Sequence, residues 1–208
     1  MVWLKIGAGV LLLLLLVWAG LYVWGWMRWD ALTRELRSGL EAARRAGAVV
    51  LYHPRELEGL PAPVQRYFRT VLKDGQPIVA AATLEHEGEF NLRLEKEQWR
   101  NFSSTQRVIT QRPGFDWNGH IVAAPGVPVR VHDAYVAGEG VLQASLLGAV
   151  PLADLRGTSE VAQGQLLRFL AEAPWYPTAL LPSQGVRWEA VDDASARATL
   201  SDAGLSVS

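Results

Sequence analysis

The chain contains no cysteine and carries almost no net charge. The absence of cysteine excludes a disulfide framework, a thiolate zinc site and a cysteine nucleophile. With 20 Lys and Arg against 21 Asp and Glu, the chain lacks the basic patch that nucleic-acid-binding domains usually carry. Glycine-rich nucleotide-binding motifs, an HExxH motif and a GxSxG motif are also missing. We therefore predict no cofactor, no metal site and no nucleic-acid partner.

Long apolar sequence is abundant at the amino-terminal end. Residues Ile6 to Met27 carry no charge, and a helix of that length spans roughly 33 Å, which is enough to cross a bilayer. Trp3 precedes this run, and Trp24, Trp26 and Trp29 lie at its other end. Because indole rings prefer the headgroup layer, the pattern predicts a single transmembrane helix whose partner is the lipid bilayer.

A cleaved signal peptide is the alternative interpretation of this segment. Val17-Trp18-Ala19 resembles a cleavage site, but the apolar run continues past it to Met27, which is too long for a typical signal peptide. We therefore predict an uncleaved anchor over residues 1–28. The Lys and Arg residues that follow the run favour a cytoplasmic domain, whereas the short amino-terminal tail is compatible with the opposite topology.

Residues 29–60 are predicted to connect the anchor to the folded domain. Leu32, Leu36 and Leu40 recur at helical spacing, which predicts a juxtamembrane helix that ends near Gly47. The helix either lies on anionic lipid or packs on the domain, and its acidic residues favour packing. Residues 48–60 are predicted to form an extended linker.

Residues 61–208 are predicted to form an α+β domain. A helix begins at the two prolines Pro61 and Pro63, and a second helix follows a capping residue at Thr158 or Ser159. Strand-like segments lie between and after these helices, separated by turn signals such as Pro113-Gly114, Pro125-Gly126 and Asp202-Ala203-Gly204, which predicts an antiparallel sheet. The fold class is therefore a transmembrane helix followed by a curved antiparallel β-sheet packed with two or three helices. The last strand stops after a few residues, which we interpret as a shortened protein or a partial copy whose C-terminal strands are missing.

Aromatic side chains of the domain are candidates for a ligand cavity. The segment APWYPTALLP, residues 173–182, holds an aromatic pair between prolines, and it either caps the sheet or forms the rim of a cavity. Phe115 and Trp117 share one strand face and point either into the core or towards a ligand. The candidate ligand-binding residues are Phe115, Trp117, Tyr135, Trp175, Tyr176 and Trp188.

The histidines offer two weaker chemical alternatives. His86 among Glu85, Glu87 and Glu89 is more typical of a solvated strand than of a metal cluster. A hydrolase would have to be built from the polar residues around the predicted turns, which are Asp116, His120, His132 and Asp133. No catalytic residue is assigned from the sequence alone.

Several segments resemble an uncharacterised bacterial family of membrane-anchored proteins. They are LPAPVQRYFRTVL, HEGEFNL, QRPGFDWNG, DAYVAGEGVLQASLLGAVPLADL and AEAPWYPTALLPSQGVRWEAVDDASARATLSD, and they cover most of residues 60–202. Longer members of that family resemble the lipoprotein-carrier (LolA-like) half-barrel in their further strands. The resemblance implies a curved sheet with helices on its concave face and brings no catalytic residue.

From these observations we expect a single-pass protein of the bacterial inner membrane. Its sequence is more typical of a protein that is not an enzyme. The resemblance to periplasmic carriers favours an extracytoplasmic domain that binds or passes a hydrophobic ligand or lipid. The alternatives are a hydrolase with an Asp/His site and an envelope assembly or interaction module.

Overall fold

A single helix joins the apolar amino-terminal segment to the folded domain. The computed structural model describes residues 2–45, 47–93 and 95–208. Helix α1 covers Val2–Ala43 and runs without a break through the predicted boundary between residues 28 and 29. Its first part is apolar and exposed, whereas Gly25, Trp29, Thr33, Leu36 and Leu40 of its second part are buried against the domain. The predicted anchor and juxtamembrane helix are thus one helix, and the prediction that the second part packs on the domain is confirmed.

The domain is built around an open six-stranded antiparallel sheet in which consecutive strands are neighbours. Its strands are β1 Ala81–Asn91, β2 Trp99–Ile109, β3 Gly114–Ala124, β4 Val127–Val136, β5 Glu139–Leu146 and β6 Val150–Arg156. A second sheet of three short strands follows, with β7 Arg187–Ala190, β8 Ala196–Asp202 and β9 Leu205–Val207. Tight turns join most neighbours, because Gly126, Gly138 and Gly204 adopt positive φ there. The predicted α+β class with antiparallel pairing is confirmed.

Helices cover both faces of the large sheet. The second part of α1 lies on one face, while α3, Ser159–Glu172, packs on the other. Thr158 caps α3 as predicted, since its side chain accepts a hydrogen bond from the Val161 amide. Helix α2, Ala62–Val71, begins at the predicted prolines and buries Val64 and Phe68.

The main hydrophobic core lies between the large sheet and the elements on the α3 side. It includes Tyr52 and Leu57, so the segment predicted as an extended linker contributes buried side chains and a short 3₁₀ turn, Pro54–Leu57. Residues 173–184 form three consecutive 3₁₀ turns, Ala173–Trp175, Pro177–Leu180 and Pro182–Gln184. Tyr176, Thr178 and Leu181 of this segment are fully buried, as the capping interpretation requires. Trp175 is the exception, because 56% of its surface is exposed.

Candidate functional site: the seam between helix α1 and the sheet

A chain of polar contacts joins α1 to the sheet, and we call this contact zone the seam. It comprises Trp29, Thr33 and Arg37 on α1 together with Asp116 and His132 on β3 and β4. The three helix residues are four positions apart, so they lie on one face of α1. Asp116 and His132 point to the same side of the sheet because both alternate with residues that enter the main core.

Asp116 is the centre of the seam. Its carboxylate accepts a hydrogen bond from Arg37 Nε at 3.0 Å, and its other oxygen lies 2.8 Å from His132 Nδ1. Arg37 also donates to the Thr105 hydroxyl on β2 at 2.8 Å. The Asp116 side chain is completely buried and that of Arg37 is only 22% exposed. A buried carboxylate is tolerated when it is paired and hydrogen-bonded, and Arg37 and His132 meet that requirement.

His132 has contacts at both ring nitrogens and on a face of its ring. Its Nε2 lies 2.9 Å from the Thr33 hydroxyl, and the indole of Trp29 stacks on the imidazole with 4.6 Å between the ring centroids. The Trp29 indole N–H donates to the Asn118 side-chain oxygen at 3.0 Å. Both polar ring atoms of His132 and the indole nitrogen therefore have partners inside the seam, which is the arrangement that a buried polar network needs.

The order of contacts Thr33–His132–Asp116 resembles the hydroxyl–imidazole–carboxylate relay of serine hydrolases. The relay differs from that of a serine hydrolase in its access to a substrate, because Asp116 and His132 have no exposed surface and Thr33 is only 7% exposed. The Thr33 hydroxyl also donates to the backbone carbonyl of Trp29 one turn earlier. The relay therefore meets the distance requirement of the hydrolase alternative, but its hydroxyl is closed off from a substrate. Its evident physical role is to fasten α1 to the sheet.

The other two residues of the hydrolase alternative do not join the seam. His120 is on the same sheet face but farther along β3, where partial burial and the nearby Arg130 lower its pKa. Asp133 projects from the opposite face, where it pairs with Arg168 of α3 and accepts from Gln165. Burial raises the pKa of Asp133, against the opposing effect of Arg168. Sequence spacing brought these four residues near the same turns, but strand alternation divides them between two faces.

Four of the six candidate ligand-binding residues lie in the main core. Phe115 and Tyr135 are fully buried, Tyr176 is almost so, and Trp117 is 7% exposed. The Arg168 guanidinium lies over the rings of Phe115 and Trp117, 5.3 and 5.2 Å from their centroids. Tyr135 donates its phenol proton to Asp202, and Tyr176 donates to the carbonyl of Phe169. These rings pack against neighbouring side chains, and the two tyrosine hydroxyls are already bonded within the protein.

The remaining two candidates lie apart from each other. Trp188 is half-buried, packs edge-on against Phe68 and donates its indole N–H to the carbonyl of Leu180. Trp175 lies beside His86, with 5.2 Å between the ring centroids. A pocket of about 530 Å³ lies elsewhere, between the end of α1 and residues 77–80.

His86 is separated from its acidic neighbours by the pleat of β1. Its Nδ1 lies 3.1 Å from the Ser104 hydroxyl on β2. Glu85 and Glu87 alternate with it and belong to the opposite face of the strand. Among the residues that the structure describes, no group of three or more His, Asp or Glu side chains is arranged to hold a metal ion.

The sequence offered Asp116 and His132 as candidates for a hydrolase site, but it did not identify their partners on α1. Thr33 and Arg37 are the functional residues that sequence reasoning missed. One signal was available, since Trp29, Thr33, Leu36 and Leu40 follow the helical repeat and so share a face. Nothing in the sequence indicated that this face would meet the polar side of the sheet.

The fold and the seam define the class of protein. It is an α+β domain whose antiparallel sheet packs, on one face, against the continuation of an amino-terminal apolar helix. The chain belongs to the family of unknown function DUF6920, whose family model matches residues 58–208. No curated protein and no solved structure matches the chain, so its resemblance to lipoprotein carriers stays a prediction.

Proposed function

We propose that the chain is a single-pass membrane protein whose helix α1 holds the α+β domain in a fixed position at the bilayer, as a non-catalytic binding or assembly module. The observation that carries this proposal is that one uninterrupted helix, Val2–Ala43, supplies both the apolar segment and one wall of the domain. A flexible tether would let the domain rotate and tilt. A helix that continues into a buried seam transmits its orientation to the domain.

The same continuity supports an anchor that is not cleaved. Val17-Trp18-Ala19 lies in the interior of α1, whereas proteolytic cleavage sites concentrate in exposed, irregular segments. The most apolar 18 residues of the helix have a mean hydropathy of 2.4, and none of them is buried within the protein. Such a surface requires lipid or another apolar partner.

A ligand carrier with an internal cavity is less well supported than a module that acts through its surface. The rings proposed to line the cavity pack into the core, so a ligand there would have to displace Arg168 and its partners Asp133 and Glu172. We therefore place any contact with lipid on the outer surface of the domain. The hydrolase alternative has the Thr33–His132–Asp116 relay in its favour and the burial of that relay against it.

For the location we propose the bacterial inner membrane, with the domain on the extracytoplasmic side. The resemblance to envelope carriers supports this side of the membrane, whereas the Lys and Arg residues after the apolar run favour the cytoplasmic side. Alkaline phosphatase fused to the carboxyl end will be active if this topology is correct. An inactive fusion, together with an active cytoplasmic reporter at the same position, would reverse it.

The anchor itself is tested by expressing the chain with a carboxyl-terminal tag and isolating membranes. We expect the protein to stay in the membrane after carbonate washing and to have the intact mass of a chain that retains residues 2–28. A carbonate-soluble product that starts after residue 19 would show instead that the apolar segment is a signal sequence, and the proposal would fail.

A further inference from the structure

Two turns of the large sheet lie beside the apolar part of α1. The β3–β4 turn lies next to Trp18, since a Cβ atom added to Gly126 would lie 3.4 Å from the indole. The β5–β6 turn packs directly on Gly25, where an added Cβ would lie 2.2 Å from the carbonyl oxygen of Leu147. One end of the sheet therefore extends along the helix towards its amino terminus.

The length of helix ahead of these contacts is too short to cross a bilayer. Residues 2–17 precede Trp18, and at 1.5 Å per residue they provide about 24 Å. The hydrocarbon core is about 30 Å thick and requires about 20 apolar residues. If α1 spans the membrane, the bilayer must therefore extend past Trp18, to the level that the β3–β4 turn occupies.

The composition of the two turns next to α1 fits such a position, whereas the β1–β2 connection at the same end, on the outer edge of the sheet, carries Arg93, Glu95, Lys96 and Glu97. Residues 121–129, IVAAPGVPV, surround the first turn, and residues 146–153, LLGAVPLA, surround the second; neither segment contains a charged side chain. We call these segments the two apolar tips. Val122, Val150 and Leu152 of the tips are about half exposed. The turns at the opposite end of the sheet carry Arg112 and Glu139.

An arginine side chain is hydrogen-bonded to a backbone carbonyl of each tip. Arg28 on α1 donates to the carbonyl of Ala149 at 3.2 Å, and Arg100 on β2 donates through Nε to the carbonyl of Ala123 at 3.2 Å. Trp99, next to Arg100, is 49% exposed. Arginine and tryptophan beside an apolar surface are residues that accumulate at the level of lipid headgroups.

We propose that the two apolar tips are inserted into the acyl-chain and headgroup boundary of the bilayer that α1 spans. This inference rests on the proposed function, since it requires α1 to be a membrane anchor. The occupant of the surface is lipid. The domain then makes three contacts with one membrane, through α1 and through each tip, and these contacts fix its height and tilt.

The absence of cysteine permits a direct test with single-cysteine variants of the full chain in vesicles of phosphatidylethanolamine and phosphatidylglycerol. Ala124→Cys and Leu152→Cys report on the tips, and Glu139→Cys at the opposite end is the matched control. Leu14→Cys in α1 is the reference for the anchor. All four positions are exposed in the protein, so a label can be attached without disturbing the core.

Each variant is labelled with an environment-sensitive fluorophore and exposed to iodide in water or to nitroxide attached to lipid acyl chains. We expect the two tip labels to be quenched by the nitroxide lipid and to be several-fold less sensitive to iodide than the Glu139→Cys label. If the Leu14→Cys label is in lipid while both tip labels behave like the control, the tip proposal is overturned and the anchor stands. If the Leu14→Cys label is itself open to iodide, the anchor and the tip proposal both fail.

Discussion

The guanidinium of Arg37 on helix α1 and the carboxylate of Asp116 on strand β3 form a buried ion pair, with Nε and Oδ2 3.0 Å apart. The two residues are 79 positions apart in the chain, and the pair joins the helix that carries the apolar segment to the middle of the sheet. Removing one partner of a buried pair leaves the other charge uncompensated. Helix α1 is therefore attached to the domain by a specific ion pair as well as by apolar packing.

Replacing Arg37 tests that attachment. We expect Arg37→Ala to lower the free energy of unfolding of the detergent-solubilised protein by about 3 kcal/mol, because Asp116 stays buried without its cation. Arg34→Ala is the matched control, since Arg34 pairs with Asp30 on the exposed side of the same helix and the change should cost less than about 1 kcal/mol. Equal losses in the two variants, measured by urea unfolding, would contradict the role of the seam.

A methyl group at Gly25 tests the close approach of α1 to the β5–β6 turn. The new Cβ in Gly25→Ala would meet backbone atoms of Leu147 and Ala149, which cannot rotate away as a side chain can. We expect a loss of about 1–3 kcal/mol from this overpacking. Gly20→Ala adds the same methyl where nothing lies within 4 Å, so it should leave stability unchanged or raise it slightly. Thermal unfolding of the two variants gives the comparison, and a stable Gly25→Ala protein would show that the turn does not rest on the helix.

The Thr33 hydroxyl is expected to be needed for hydrogen bonding and not only for shape. Thr33→Val keeps the volume but leaves Nε2 of the buried His132 without a partner, which should cost about 1–3 kcal/mol. Thr33→Ser retains the hydroxyl and should recover a large part of that loss. If the valine variant unfolds at the same denaturant concentration as the parent protein and the serine variant unfolds earlier, the hydrogen bond contributes nothing and only the methyl group matters.

Tyr135 should make the protein sensitive to alkali. Burial raises its pKa, and the hydrogen bond to Asp202 and the charge of that carboxylate raise it further. Because the folded pKa lies above the unfolded value of about 10, the contribution of Tyr135 is fully present below pH 10 and is lost as the pH rises towards the folded pKa. In Tyr135→Phe we expect the decline of stability above pH 10 to be flatter by up to about 1.4 kcal/mol per pH unit.

The measurement is urea unfolding at a series of pH values between 9 and about 11.5, a range set by the tyrosine pKa. Tyr176→Phe provides a second case, because burial also raises the pKa of Tyr176. Parallel pH profiles for the parent protein and Tyr135→Phe would contradict the assignment.

Local sequence signals predicted where the helices begin and where the sheet turns, but they did not predict which face of each element would contact its neighbours. Proline at the start of α2, Thr158 at the start of α3 and glycine in the sheet turns are local signals, and the elements begin and turn at those residues. The boundary drawn from the sequence between residues 28 and 29 marks a change in polarity, and helix α1 continues through it because the charged residues after Met27 do not interrupt helical hydrogen bonding.

The seam could not be predicted because it depends on long-range register. The β3–β4 pairing aligns Asn118 with His132 and Asp116 with Ala134, so Asp116 and His132 become diagonal neighbours on one face of the sheet. Only that alignment, together with the placement of α1 on the same face, brings Thr33 and Arg37 within hydrogen-bonding distance. Aromatic residues such as Phe115 and Tyr135 carry equal hydrophobicity in a core and in a cavity, so composition alone does not distinguish the two.

The central claim is that the apolar part of α1 and the α+β domain are one rigid body, and a spin-label distance measurement tests it most directly. Labels at Leu14→Cys and Glu139→Cys in the full chain, reconstituted in lipid nanodiscs, report on the relation of helix to domain. Labels at Ala124→Cys and Glu139→Cys, which lie at opposite ends of the sheet, give the width expected within the domain alone. We predict a single distance distribution for the first pair that is as narrow as that of the second, and a broad or multiple distribution for the first pair alone would contradict the account.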